Sequence, residues 1–150
     1  MTCVVAVGSP GGFICADRRC TSDSGEKCPN VLKVHKNVGL IVGFCGKTSV
    51  AYDIARALKD GKTDPKDFIE LAADHSAIIC LDVEGKLWLA SDNAVWPTRR
   101  AWYAIGSGAD LAIGYLAASP KIDKASVRKA QQFVASRRAD CGGGCDFKAF

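Results

Sequence analysis

Thr2 is the residue whose type and position point most directly to chemistry. Removal of Met1 is favoured when the second residue is small, and it would leave a threonine with a free α-amine. Such an amine can act as general base for the hydroxyl of the same residue, which turns a weak nucleophile into a reactive one. Many proteins begin with Met-Thr for no catalytic reason, so on this feature alone an ordinary N-terminus remains the alternative.

Two charged residues, Asp17 and Lys33, interrupt apolar runs. Asp17 follows the apolar residues 13–16, a costly place for a carboxylate unless it has a partner. Lys33 is the only charged residue in the strand-like run 31–34. A cation fixed near an amine and a hydroxyl lowers the pKa of both and favours their reactive forms. The alternatives are a strand-end carboxylate that reaches solvent and an edge-strand lysine that opposes aggregation.

A β-hairpin is predicted to bring Thr2 and Asp17 together. Residues 3–7 and 13–16 are apolar at every position, which is typical of strands buried on both faces. The segment 8–12 between them, Gly-Ser-Pro-Gly-Gly, favours a turn. With that turn at the centre, paired residue numbers sum to about 19 to 21. Thr2 is therefore expected opposite Asp17 or one of the two arginines that follow it.

The rest of the chain alternates pairs of strands with pairs of helices. Further strands are predicted at 31–34, 39–44, 77–83, 86–90 and 102–105, with a terminal one near 147–150. Helices are predicted at 48–59, from Asp64 onward, after Gly108 and at 126–138. Buried strands with paired helices predict an α+β fold, a four-layer αββα sandwich of two packed antiparallel sheets. We expect one domain over residues 1–150.

Composition excludes several classes of protein. The 150 residues are 48% hydrophobic and 24% charged, and the net charge is +4, which excludes a disordered chain. No apolar run reaches the ~20 residues of a membrane helix, and no secretory leader is visible, so a cytoplasmic protein is expected. The arginine pairs are scattered and lack interleaved aromatic residues, which favours solvated faces or subunit contacts over nucleic-acid binding. These pairs are Arg18-Arg19, Arg99-Arg100 and Arg137-Arg138.

The eight cysteines are interpreted as buried thiols. Most stand singly, several inside apolar runs, where cysteine behaves as a small hydrophobic residue. A reducing compartment makes a disulfide framework unexpected. Cys141 and Cys145 flank three glycines, but no histidine is paired with them, so incidental thiols on a turn are preferred to a metal site.

Taken in order, several segments resemble proteasome β subunits and HslV, the related bacterial ring protease of the N-terminal-nucleophile (Ntn) hydrolase class. The resemblance covers nearly the whole chain, and the interval from Asp17 to Lys33 has the family's spacing. Each motif alone is weak, whereas the ordered set is specific. The matching segments are Thr2, 11–19, 33–34, 43–46 and 104–110.

The resemblance implies a role for each matching residue. It makes Thr2 the nucleophile, with its α-amine or a water held by that amine as general base. Lys33 matches the lysine that tunes the nucleophile, and Asp17 matches the carboxylate that holds this lysine. The backbone N–H of Gly46 falls where the family places its oxyanion donor, a contact typically worth about 3–4 kcal/mol in the transition state.

Two further positions match less simply. Ser107 matches the serine that orients the amine, although from its position alone it is equally a helix N-cap. Asp140 is placed in the family's acidic role within the segment 140–143, where Cys141 replaces a hydroxyl residue.

Substrate contacts follow from the same resemblance. A peptide is expected to bind as an added strand alongside the backbones of Thr21 and Thr48. Cys20, Val31 and Cys45 fall at positions that line the family's specificity pocket. All three are uncharged and small or mid-sized, so we expect apolar side chains before the cleaved bond.

The function implied is that of a threonine-type endopeptidase that forms an acyl-enzyme on Thr2 without a metal or organic cofactor. The resemblance also implies homo-oligomeric stacked rings and peptide or unfolded-protein substrates. Any ATPase unfoldase that feeds these rings is expected to be a separate protein, since the chain has no Gly-x4-Gly-Lys-Ser/Thr loop. Two alternatives stay open on the same fold. One is a catalytically silent structural subunit, favoured if Met1 persists, and the other is an amidohydrolase of small amides.

Overall fold

The structure, a computed structural model, describes residues 2–21, 27–28, 31–73 and 75–150. The polar sequence of residues 22–29 favours a loop, and most of this segment lies outside the described residues. The strands are β1 (Val4–Val7), β2 (Phe13–Asp17), β3 (Cys20–Thr21), β4 (Lys27–Cys28), β5 (Val34–Lys36), β6 (Leu40–Cys45), β7 (Ala77–Asp82), β8 (Leu87–Ser91), β9 (Ala94–Pro97), β10 (Trp102–Ile105) and β11 (Cys145–Ala149). The α-helices are α1 (Ser49–Lys59), α2 (Ala109–Ala117) and α3 (Lys124–Arg137).

The described strands form two larger antiparallel sheets and one short ribbon. The first sheet has the order β10-β1-β2-β11, and the second has the order β5-β6-β7-β8-β9. Strands β3 and β4 pair with each other as the ribbon. The predicted α+β sandwich of two packed antiparallel sheets is confirmed.

Strands β1 and β2 are buried on both faces, as their uninterrupted apolar sequences predict. Because successive side chains of a strand point to opposite faces, alternate residues join different cores. Val4 and Ile14 pack in a cluster with Ile41 and Ile79 of the second sheet. The side chains between them pack with the α2 and α3 helices, in a cluster that contains Val5, Cys15, Leu116 and Val127.

The outer layers differ between the two faces. Helices α2 and α3 cover the first sheet, whereas α1 and two short 3₁₀ turns, Pro65–Phe68 and Glu70–Ala72, cover the second. The α-helix predicted from Asp64 onward is therefore wrong in type. Asp64 does cap the segment by accepting from Lys66 N at 2.9 Å, but the buried Pro65 and Phe68 are three residues apart, which matches one face of a 3₁₀ turn. Among the described residues, no helix is long and apolar enough to cross a membrane.

The first hairpin has the register that the sequence predicts. Val4 lies opposite Ala16, so paired numbers sum to 20, and Asp17 N donates to Cys3 O at 3.1 Å. The second hairpin is shifted, because β5 begins at Val34 and Lys33 precedes it, with Lys33 O accepting from Phe44 N at 3.1 Å. Asp17 thus ends β2 and Lys33 directly precedes β5, and Lys33 lines the same cavity as Thr2.

Candidate active site

Thr2 lies at the open end of β1, directly before the buried pair of residues Cys3 and Val4. The Thr2 side chain is 5% exposed and faces a cavity of about 40 Å³. The cavity brings together residues that are far apart in the sequence: Thr2, Arg19, Cys20, Val31, Lys33, Phe44, Gly46 and Thr48. Strands β1, β2 and β6 thus converge at one small cavity.

Asp17 and Lys33 form a buried ion pair beside Thr2. Lys33 Nζ donates to Asp17 Oδ1 at 2.9 Å and also to the carbonyl oxygen of Arg19. Asp17 Oδ1 accepts in addition from Cys3 N at 2.9 Å, and Oδ2 accepts from Gly142 N at 3.0 Å. These hydrogen bonds offset the cost of removing two charges from water. The carboxylate thereby ties β1, Lys33 and the glycine turn after α3 together.

Ser107 contacts the Thr2 backbone from the other side. Thr2 N donates to Ser107 Oγ at 3.3 Å, and Gly108 N donates to Thr2 O at 3.3 Å. Gly106 has φ +96°, and a Cβ at this position would overlap Thr2 O, so only glycine allows the approach. Ser107 does not cap α2, because Gly108 is the residue before its first turn and no side chain caps it.

Asp140 continues the chain of contacts from Ser107. Its Oδ2 lies 3.3 Å from Ser107 Oγ, within reach of the hydroxyl proton. Arg138 holds both carboxylate oxygens, with Nε 3.0 Å from Oδ1 and Nη2 3.2 Å from Oδ2. Those hydrogen bonds from Arg138 hold the pKa of Asp140 below its usual value. Thr2 N, Ser107 and an ionised Asp140 therefore form one hydrogen-bonded line.

Cys141 lies beside this line without joining it strongly. Its Sγ is 3.8 Å from Ser107 Oγ, a weak contact, and burial raises the pKa of the thiol above its usual value. A neutral thiol there can neither replace the carboxylate of Asp140 nor act as a nucleophile.

Gly46 follows the last residue of β6 and lines the Thr2 cavity. Its φ is +127°, a conformation that residues with a side chain rarely adopt. A Cβ here would also come within 2.8 Å of Ser76 Cα and Cβ. The position therefore demands glycine, and the peptide approaches the cavity with no side chain in the way.

Comparison with known proteins is informative only at the level of structure. No family model and no curated protein sequence matches the chain. Eukaryotic HslV from Trypanosoma brucei is 18% identical, with a TM-score of 0.75 over 99% of this chain and 98% of that one. BPH from Thiobacillus denitrificans, solved in complex with epoxomicin, is 17% identical, with a TM-score of 0.79 and the same coverage.

The chain has the fold of HslV. A second structure of the Thiobacillus denitrificans BPH agrees, with 18% identity and a TM-score of 0.75 over 99% of this chain and 97% of that one. The expected resemblance to HslV, and with it the four-layer αββα architecture, is confirmed as a similarity of fold.

Within this HslV fold, the predicted substrate-contacting residues separate into two groups. Cys20, Val31 and Thr48 line the Thr2 cavity, and Cys20 Sγ lies 3.5 Å from Thr48 Oγ1. Cys45 is half-buried beside Gly106 and does not line that cavity, while burial raises the pKa of its thiol. Thr21 belongs to the β3–β4 ribbon.

Three residues at the site were not singled out by the sequence. Arg138, expected among solvated or subunit-contact arginines, instead holds Asp140, and Gln131 Nε2 donates to Cys3 O at 3.0 Å. Ser76 packs against Gly46. No short motif marks any of them, because Gln131 and Ser76 reach the site through contacts between residues distant in sequence. The contact of Arg138 with Asp140 depends on the conformation of the turn after α3. Among the described residues, no group of three or more His, Cys, Asp or Glu side chains is placed to hold a metal ion.

Proposed function

We propose that the chain is a threonine-type endopeptidase whose nucleophile is Thr2, exposed by removal of Met1. One observation carries the proposal: Thr2 stands between two separate polar systems, the buried Asp17–Lys33 pair and the Ser107–Asp140 line. A threonine that served only as a strand end would need neither. The similarity of fold to HslV supports the same conclusion.

The first half of the reaction forms an acyl-enzyme. The α-amine of Thr2 takes the hydroxyl proton while Oγ attacks the carbonyl carbon of the peptide bond. The oxyanion that develops accepts a hydrogen bond from Gly46 N–H. As the tetrahedral intermediate collapses, the protonated amine gives its proton to the departing amine of the product, and an ester remains on Thr2 Oγ.

The second half releases the product. A water gives a proton to the same amine and attacks the ester carbonyl, and the proton then returns to Thr2 Oγ as the carboxylic acid leaves. Lys33, fixed by Asp17, supplies a positive charge that favours the neutral amine and the ionised hydroxyl. Ser107 Oγ accepts a hydrogen bond from the Thr2 amine and donates one to Asp140. These two hydrogen bonds keep the lone pair of the amine directed at Thr2 Oγ.

Substrate binding in this proposal uses the strand edges near the cavity. A peptide lies alongside the backbones of Thr21 and Thr48, and its side chain before the cleaved bond enters the cavity lined by Cys20 and Val31. The lining is uncharged there, which favours small apolar side chains. We further propose that residues 1–150 form one domain, that copies assemble into stacked rings, and that any ATPase is a separate chain.

Two measurements on the purified protein test the function. Intact mass is expected to show loss of one methionine, and fluorogenic peptides with small apolar residues are expected to be cleaved. Thr2→Ala should lower cleavage by at least about 1000-fold, whereas Thr63→Ala, at an exposed position that does not line the cavity, should not change it. Retention of Met1 together with no cleavage would indicate a silent subunit, and cleavage of small amides alone would indicate an amidohydrolase.

A further inference from the structure

Ser76 is a buried serine whose hydroxyl lacks a hydrogen-bond partner within the described part of the chain. Its side chain is 3% exposed, and Oγ meets no donor or acceptor there. A buried hydroxyl left in this state costs about 1–3 kcal/mol, and native proteins contain few such groups. Alanine at this position would therefore be at least as favourable for stability as serine. The presence of serine there indicates that the hydroxyl has a role other than stabilising the fold.

The position of Ser76 identifies that role. Strands β6 and β7 end on the pair Cys45 and Ala77, so Gly46 and Ser76 are the next neighbours beyond the ladder. A Cβ on Gly46 would overlap Ser76 Oγ and lie 2.8 Å from Ser76 Cβ. The Ser76 side chain thus fills the space next to the Gly46 Cα where a Cβ would lie, and it does not line the Thr2 cavity.

Gly46 needs support of this kind. It lies beyond β6, and its N–H makes no backbone hydrogen bond to the described residues. A glycine with φ +127° has many other conformations open to it, because no Cβ restricts the backbone. Without a fixed neighbour, the peptide that carries the N–H could rotate away from the cavity.

We propose that Ser76 is a positioning residue that holds the Gly46 N–H toward the oxyanion formed when Thr2 attacks its substrate; this inference rests on the proposed peptidase function. The Ser76 hydroxyl occupies the space where a Cβ on Gly46 would lie, and its bulk there opposes rotation of the peptide. Ser76 touches no reacting atom and acts only through Gly46. A polar group that weakens folding is thereby kept for the sake of catalysis.

The first test separates activity from stability. Ser76→Ala is expected to lower kcat about 10-fold with KM unchanged, because the oxyanion donor is misplaced while substrate binding is not altered. The midpoint of urea unfolding should stay the same or rise. Ser136→Ala, which removes an exposed hydroxyl bonded to Phe133 O, should leave kcat and KM unchanged. A Ser76→Ala variant with wild-type kcat, or with kcat reduced only in proportion to lost stability, overturns the inference.

The second test reports on the oxyanion itself. A peptide aldehyde adds to the Thr2 hydroxyl and places an oxygen where the oxyanion forms, whereas the peptide alcohol of the same sequence cannot. Ser76→Ala should weaken binding of the aldehyde about 10-fold and leave binding of the alcohol unchanged. Equal losses for both ligands, or no loss for either, contradict a positioning role.

The two proposals fail in different ways. Wild-type protein that has lost Met1 yet neither cleaves peptides nor binds the aldehyde refutes the peptidase function, and the role of Ser76 with it. Wild-type protein that does both, with Ser76→Ala indistinguishable from it, refutes only the role of Ser76.

Discussion

Lys33 Nζ lies 2.9 Å from Asp17 Oδ1, and the two side chains are only 4% and 2% exposed. The pair joins the end of β2 to the residue before β5, so it links the two sheets of the sandwich at the cavity that contains Thr2. Because Asp17 also accepts from Cys3 N and Gly142 N, the same carboxylate fixes the strand that carries Thr2.

Breaking this buried pair is expected to destabilise the fold. Lys33→Met leaves the Asp17 carboxylate buried without its cation, which should cost about 3–5 kcal/mol in urea unfolding. The double variant Lys33→Met with Asp17→Asn should lose less than the sum of the two single variants. Arg56→Ala, which removes the exposed ion pair with Asp53, is the control and should change stability little. Additive losses at Asp17 and Lys33 would contradict the coupling.

The contribution of Asp140 to stability should depend on pH in the acid range only. Its folded pKa is lowered by Arg138, so the ionised form is favoured in the folded protein. The stabilisation is then complete above the unfolded value of 3.8 and is lost as the pH falls through the lower folded value. Unfolding of wild type and Asp140→Asn should differ by a constant amount from about pH 7 to 5 and converge below about pH 4. A difference that changes near neutral pH would assign the effect to another group.

Gly46→Ala is expected to remove activity and stability together. The added Cβ would clash with Ser76, and the alanine would be held at an unfavourable backbone φ. We therefore expect a loss of about 1–3 kcal/mol in the free energy of unfolding and at least a 100-fold fall in kcat. Gly61→Ala provides the control, because Gly61 also has positive φ, at +84°, but has open space where a Cβ would go. It should cost about 1–2 kcal/mol from backbone strain alone and leave kcat unchanged. Equal kinetic effects of the two variants would exclude a specific role for Gly46.

The lining of the Thr2 cavity should control which side chain precedes the cleaved bond. Val31→Ala removes two methyl groups from the wall of a cavity of only about 40 Å³ and so enlarges it. The ratio of kcat/KM for leucine over alanine before the cleaved bond should rise by about 10-fold or more. Val83→Ala changes an exposed valine outside the cavity and should leave that ratio unchanged. An unaltered ratio in Val31→Ala would place the specificity pocket elsewhere.

The parts of the fold that follow from local pattern could be predicted from the sequence. Uninterrupted apolar residues in β1 and β2 indicate burial on both faces, and the Gly-Ser-Pro-Gly-Gly segment sets their register to within one residue. The resemblance to HslV and proteasome β subunits rests on the order of Asp17, Lys33 and Ser107 along the chain. It predicts that these residues lie near Thr2, although they are distant in the sequence.

Other features depend on tertiary contacts that local patterns do not encode. The sequence does not mark strand β9, because Pro97 and the mostly exposed residues around it resemble a loop. The 3₁₀ turns after Asp64 begin with the capping signals of an α-helix, and their tighter winding accompanies the burial of Phe68 in the core of the second sheet. Arg138 could not be assigned, since its hydrogen bonds to Asp140 depend on the turn after α3.

The place of β1 in the middle of its sheet sets how the proposed enzyme would lose activity. β1 has a partner strand on each side, and its residues are nearly free of solvent contact on both faces. Chain ends usually fray first, but Thr2 continues a strand that separates only when the whole sheet does. Heat inactivation should therefore coincide with global unfolding, and the amide protons of β1 should be among the last to exchange with deuterium.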